Sequence, residues 1–162
     1  MEQHNSTSNL DSIRQQVSET LRHKLEALPS AQRLSDEQLE VLYALAYAQV
    51  AQQQYEQALP LFSLLCLYGP TRQHYLCGFA LCLQQQELYL EAGNIYALVW
   101  ALFPEHYESA IGLVECQLAS EQLDQALATL DNLVQIAQQQ SAAPAWLPKV
   151  LAMRQLLQGD CA

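Results

Sequence analysis

Glycine and proline are scarce in this chain, five and six among 162 residues. Ala, Leu, Gln and Glu dominate what remains, a mixture that favours helix and depletes strand. Basic side chains are absent from Gln73 to Pro148, a span that carries Glu87, Glu91, Glu105, Glu108, Glu115, Glu121, Asp124 and Asp131. Residues 1–33, by contrast, balance four basic against four acidic side chains. With a formal net charge of −10, the long acidic span repels phosphates and anionic headgroups. Nucleic acid and membrane surfaces are thereby excluded as its partners, and apolar or basic polypeptide is favoured.

There is no C-x-x-C pair. The five cysteines are Cys66, Cys77, Cys82, Cys116 and Cys161, and an odd number inside apolar helical segments reads as reduced thiols of a cytosolic protein. Cys77 and Cys82, the best candidates for a reactive pair, fall on different helix faces. The opening MEQHNSTSN lacks the charged-then-apolar layout of a secretion signal. The longest unbroken apolar run, Ile95 to Phe103, is about half a membrane span. A Gly-rich phosphate loop, G-x-S-x-G and H-E-x-x-H are all missing, and His4, His23, His74 and His106 are scattered. We therefore expect no enzyme, no catalytic residues, no metal and no cofactor.

What the chain does have is a period. YEQALPLFSLL from Tyr55, YLEAGNIYALV from Tyr89 and LDQALATLDNL from Leu123 align without gaps, and their anchors Ala58, Ala92 and Ala126 are each 34 residues apart. Thirty-four is the tetratricopeptide period, whose pattern can be tested position by position. It falls on Leu42, Leu45, Ala46, Ala58, Phe62 and Pro70, then on Leu76, Phe79, Ala80, Leu83, Ala92, Tyr96 and Pro104. A third, weaker unit has Ala110, Leu113, Val114, Ala126 and Leu130, with Gln138 where the proline should stand, so its second helix is expected to run on into the connector. Small residues permit close helix approach, and Phe62 and Tyr96 fill the space between units. One hairpin cannot bury its apolar face, but three stacked ones can.

The predicted architecture is all-α. An N-terminal amphipathic helix in residues 1–34 carries the stripe Leu10, Ile13, Val17, Leu21 and Leu28, ended by Pro29. Three helical hairpins occupy residues 35–140, in units of about 39–72, 73–106 and 107–140, starting at the S-x-x-Q capping box of Ser35 and Gln38. A closing helix from Pro144 to Leu157, with Gly159 just past its end, lies in residues 141–162. Pro60 is accommodated because Gln52 to Gln54 make the first hairpin's turn and the next helix begins near Tyr55 or Glu56. The proline then sits close to the helix start, where its cost falls well below the mid-helix figure of about 3 kcal/mol.

Stacked hairpins leave a concave face lined by the first helix of each pair. Unit one offers Glu40, Tyr43, Tyr47, Val50 and Ala51; unit two offers His74, Cys77, Gly78, Leu81 and Gln84; unit three offers Glu108, Ile111, Gly112, Glu115 and Leu118. Tyr43 and Tyr47 are one helical turn apart and share a face. This groove is mostly apolar, with tyrosines at one end and acids at the other. It lacks the Lys, Arg and Asn that clamp a peptide's C-terminal carboxylate.

In LYALAYAQVAQQQYEQALPLFSLLCLYGP, CGFALCLQQQELYLEAGNIYALV and LVECQLASEQLDQAL, the chain resembles the class II chaperones of bacterial type III secretion, the tetratricopeptide family of low-calcium-response type. The likeness covers about residues 36–137. Its most specific points are Leu42-Tyr43, Gly78-Phe79 with Cys82 and Gln84, the Tyr89 to Ala92 turn, and Glu115-Cys116. The resemblance implies three hairpins in a right-handed superhelix and a bacterial cytoplasmic location. It implies as client a hydrophobic, pore-forming translocator, held extended in the groove. Carried onto this sequence, the client-binding residues are Tyr43, Tyr47, Val50, Leu65, Cys77, Leu81, Gln84, Ile111, Glu115 and Leu118. Homodimer formation through Leu10, Ile13, Val17 and Leu21 is implied as well. Gly69-Pro70 replaces the family's usual acidic turn, and Ala48 takes a position often polar there. The competing reading is a chaperone of a needle subunit or another scaffold of the secretion apparatus.

Overall fold

The computed structural model describes residues 3–159, and side chains from Asp11 onward. It has helices α1 (Gln3–Glu26), α2 (Asp36–Ala51), α3 (Tyr55–Tyr68), α4 (Gln73–Gln85), α5 (Tyr89–Leu102), α6 (Tyr107–Ala119), α7 (Leu123–Gln139) and α8 (Leu147–Gly159). A short 3-10 turn at Pro29–Gln32 joins the first two, and there is no strand among the described residues. The hairpins α2/α3, α4/α5 and α6/α7 stack in chain order, each packing on the next, and α8 closes on α7. The capping box is formed: Gln38 donates its backbone N–H to Ser35 Oγ at 3.3 Å, and Ser35 returns one to Gln38 Oε1 at 3.0 Å. Ala46, Ala58, Ala80, Ala92, Ala126 and Val114 are all fully buried at the expected positions.

The hairpin turns repeat as closely as the helices do. Gln53, Glu87 and Glu121, successive 34-residue equivalents, all adopt left-handed backbone with φ of 60°, 62° and 59°. In each turn the following N–H reaches back to a carbonyl five residues earlier: Gln54 to Gln49 at 2.9 Å, Leu88 to Leu83 at 3.0 Å, Gln122 to Gln117 at 2.8 Å. That bond is the helix-ending motif glycine usually serves, used here three times without glycine. Pro60 is exposed in the second turn of α3 and forfeits a single helical bond. As Gln138 foretold, α7 runs to 17 residues where α3 and α5 have 14.

The units are keyed together by aromatic rings seated on glycines. A Cβ added to Gly78 of α4 would lie 2.1 Å from the Phe62 ring of α3, and one on Gly112 of α6 would lie 2.9 Å from the Tyr96 ring of α5. Gly78 and Gly112, expected in the groove, are therefore floors for the preceding hairpin's rings.

Two details of the closing helix are revised. The closing helix starts at Leu147, putting Pro148 in its first turn, where proline fits, and Gly159 is its last residue. The N-terminal helix lies on α5. Leu21 and Leu25 join Leu76, Val99 and Leu102 there, and the buried Ser18 hydroxyl donates to the Leu102 carbonyl at 2.5 Å. Among the described side chains of the apolar stripe only Leu21 finds its match there, while Ile13, Val17 and Leu28 remain exposed. With α1 on α5, the end of the first hairpin stays bare. Val41 is 71% and Leu45 49% exposed, whereas Tyr75 and Ser109, the equivalents of Val41, are 0% and 1% exposed beneath a preceding hairpin.

Two substitutions test these devices by urea unfolding. Glu87→Gly should raise stability by about 0.5–1 kcal/mol, because the left-handed penalty is lifted while the unfolded chain gains freedom; a loss would mean that Glu87 is not strained. Gly78→Ala should lower stability by about 1–3 kcal/mol, although alanine is the better helix former, and Phe62→Leu in the same chain should recover part of the loss. Gly93→Ala, whose Cβ would meet Cys116 at an ordinary 3.5 Å, should be neutral or stabilising.

Candidate functional site

The 34-residue register arranges the first helices' free faces as a grid. Its rows are Glu40, His74 and Glu108; Tyr43, Cys77 and Ile111; Tyr47, Leu81 and Glu115; Val50, Gln84 and Leu118. At the α2 end the Tyr43 ring lies 6.1 Å from Tyr47, 4.7 Å edge-on from His74 and 5.5 Å from the buried Tyr75. Tyr47 is 61% exposed, and Tyr43, anchored below against Phe62 at 6.2 Å, is half-buried. Burial raises the Tyr43 pKa, with smaller contributions from Tyr47 and Glu40. The two tyrosines present apolar rings with polar hydroxyl tips, suited to an apolar side chain and its backbone together. His74 is exposed with its ring edge-on between two tyrosines, and desolvation lowers its pKa despite the pull of Glu40.

The middle of the face is soft and half-buried: Val50, Cys77, Leu81 and Leu118 all show part of their surface. Toward α6 it becomes polar. The Tyr96 hydroxyl donates to Gln84 Oε1 at 2.9 Å, Gln84 Nε2 to Glu115 Oε2 at 3.4 Å, and Lys149 Nζ to Glu115 Oε1 at 2.6 Å. Lys149 on α8 escaped the sequence reading, although its 34-residue distance from Glu115 was a signal for it.

Two of the nominated residues do not reach the surface. Leu65 is fully buried, packed with Leu39, Ala46, Phe62 and Tyr75, so it belongs to the first core and not to the groove. Ile111 is only 7% exposed and packs with Val114, Leu130 and Val150. On α1, Leu21 faces inward while Ile13 and Val17 are 48% and 57% exposed; the Leu10 side chain lies outside the described residues.

Burial pushes the thiol of Cys66 up to about 12 and those of Cys82 and Cys116 to about 11, and it raises Cys77 too. Such thiols are protonated at neutral pH and poor nucleophiles. Among the described residues no three His, Cys, Asp or Glu side chains converge as metal ligands, and no helix is long and apolar enough to cross a membrane.

Comparison with known proteins identifies the repeat and the fold. A tetratricopeptide repeat family model matches residues 83–145. Among solved structures, PcrH from Pseudomonas aeruginosa is 26% identical with a TM-score of 0.67, covering 81% of this chain and 99% of that one. PcrH in complex with the chaperone binding region of PopD is 25% identical, with a TM-score of 0.70 and coverage of 80% and 98%. The Yersinia enterocolitica type III secretion chaperone SycD, in complex with a peptide of the translocator YopD, shares the fold at 21% identity, a TM-score of 0.70 and coverage of 81% and 100%. The chain thus has an all-helical fold of stacked hairpins, matching the tetratricopeptide repeat over residues 83–145 and similar to the structures of PcrH and of the type III secretion translocator chaperone SycD.

Proposed function

We propose that the chain is a bacterial cytoplasmic chaperone of type III secretion. It holds an apolar segment of a pore-forming translocator, extended, against the face of α2, α4 and α6. The observation that carries this reading is the set of exposed or half-exposed rings, thiol and aliphatic groups, Tyr43, Tyr47, Cys77, Leu81 and Leu118, on a fold shared with PcrH, solved with the chaperone binding regions of PopD and PopB, and with SycD, solved with a peptide of the translocator YopD. Extended chains suit it because alternate side chains can enter the spaces between first helices while polar edges such as Gln84 meet the backbone. A client that is apolar enough to insert into bilayers must be masked beforehand, and the chaperone's net acidity keeps the complex dispersed. The raised thiol pKa values speak against cysteine-based catalysis. When client-free, the chain forms a homodimer in this reading, and its apolar surfaces for that purpose are Ile13 and Val17 of α1 and the bare end at Val41 and Leu45. SycD has been crystallised as an alternative dimer.

Tyr47→Glu tests the proposal. Co-expressed with the hydrophobic secreted proteins encoded beside it, the wild-type chain should bring at least one into the soluble fraction and co-purify with it. The variant should lose capture by at least about tenfold while its helical circular dichroism stays unchanged, because Tyr47 is exposed. Failure of the wild-type chain to solubilise any neighbour would overturn the proposal, and loss of helicity in the variant would return Tyr47 to the core.

A further inference from the structure

The repeat does not stop at the third hairpin. Tyr47, Leu81 and Glu115 are equivalent positions 34 residues apart, and the next step of 34 lands on Lys149. The 2.6 Å contact between Lys149 Nζ and Glu115 Oε1 shows that this fourth position is the immediate neighbour of the third, as a continuing stack requires. Val150 obeys the same register: its equivalent Cys116 is buried against the preceding hairpin, and Val150 is buried with Leu130 and Leu133 of α7. By position α8 is the first helix of an incomplete fourth repeat.

We infer that the client-binding face extends onto α8, where Lys149 and Leu156 receive an acidic residue and a neighbouring aliphatic residue of the client. Three observations support this. Leu156 is 70% exposed and, seven residues from Lys149, lies on the same side of the helix. Lys149 is the sole Lys or Arg on the extended grid, whose opposite edge carries Glu40 and Glu108, so a carboxylate is repelled along the groove and attracted at its α8 end. Lys149 also has capacity to spare. Both Glu115 oxygens are engaged, by Lys149 and Gln84, whereas the ammonium has two further protons and its side chain is 56% exposed. Its ion pair with Glu115 lies at the surface, where such pairs contribute little, so sharing Lys149 with a second carboxylate costs little. This site would set the direction in which the client lies.

The inference rests on the proposed groove, and one experiment separates the two. Short random peptides displayed on phage are selected on the full-length chain and on its Tyr47→Glu, Lys149→Gln, Lys149→Glu and Leu156→Ser variants. Peptides retained by the wild-type chain and lost with Tyr47→Glu establish the groove. Within them Asp and Glu should be enriched about threefold or more toward one terminus; the enrichment should vanish with Lys149→Gln and turn to Lys and Arg with Lys149→Glu. The adjoining aliphatic preference should vanish with Leu156→Ser. Groove-dependent peptides without acidic enrichment, or with the same enrichment in Lys149→Gln, overturn the inference and leave the groove standing. Peptides indifferent to Tyr47→Glu, or none selected at all, count against both.

Discussion

The geometry of this protein depends on the contact between an aromatic ring on one hairpin and a missing side chain on the next. Phe62 lies on Gly78 and Tyr96 on Gly112, at distances that leave no room for a single methyl group. Helices that approach so closely can be held by dispersion over many small contacts, which is why the alanines around them are fully buried. The seats also set the interval between successive first helices. Cys77 and Ile111 follow Tyr43 along the stack because α4 and α6 are each registered against the ring behind them.

A second constraint acts at the turns. Three non-glycine residues accept left-handed backbone at the same place in each repeat, each closed by the same long-range turn bond. Such positions cost free energy locally and persist because packing on either side determines them. The glutamine-rich turns use no glycine, and Gly78 and Gly112 stand at the interfaces between hairpins, where the absence of volume matters more than backbone freedom.

Much of the fold was legible because the 34-residue interval reports directly on packing: Ala46, Ala80, Ala58 and Ala92 could be named as core from spacing alone. The groove was less legible. An internal first helix is enclosed by its own partner and by the preceding hairpin, so its free arc is narrow, and a periodicity argument with one buried side counted the buried Gly112 and Ile111 as exposed. Leu65 was nominated through resemblance and lies in the core. For α1, a stripe of apolar residues says that something is covered and not what covers it, so its docking on α5 could not be read in advance. Leu45 shows the converse: its spacing matches Phe79 and Leu113, yet it is 49% exposed for want of a hairpin before it.

That bare end has a consequence for how strength is distributed along the molecule. In a stack whose members touch only their neighbours, stability is a chain of separate links, and the terminal link has one partner instead of two. The hairpin in that position is α2/α3, which carries Tyr43 and Tyr47. The surface with the most aromatic character thus sits on the member most prone to fray. A polypeptide laid across all the first helices would tie distant links that otherwise never meet, adding a tension member along the inner side of the arch. Occupancy of the groove and the mechanical integrity of the stack would then be one quantity measured in two ways.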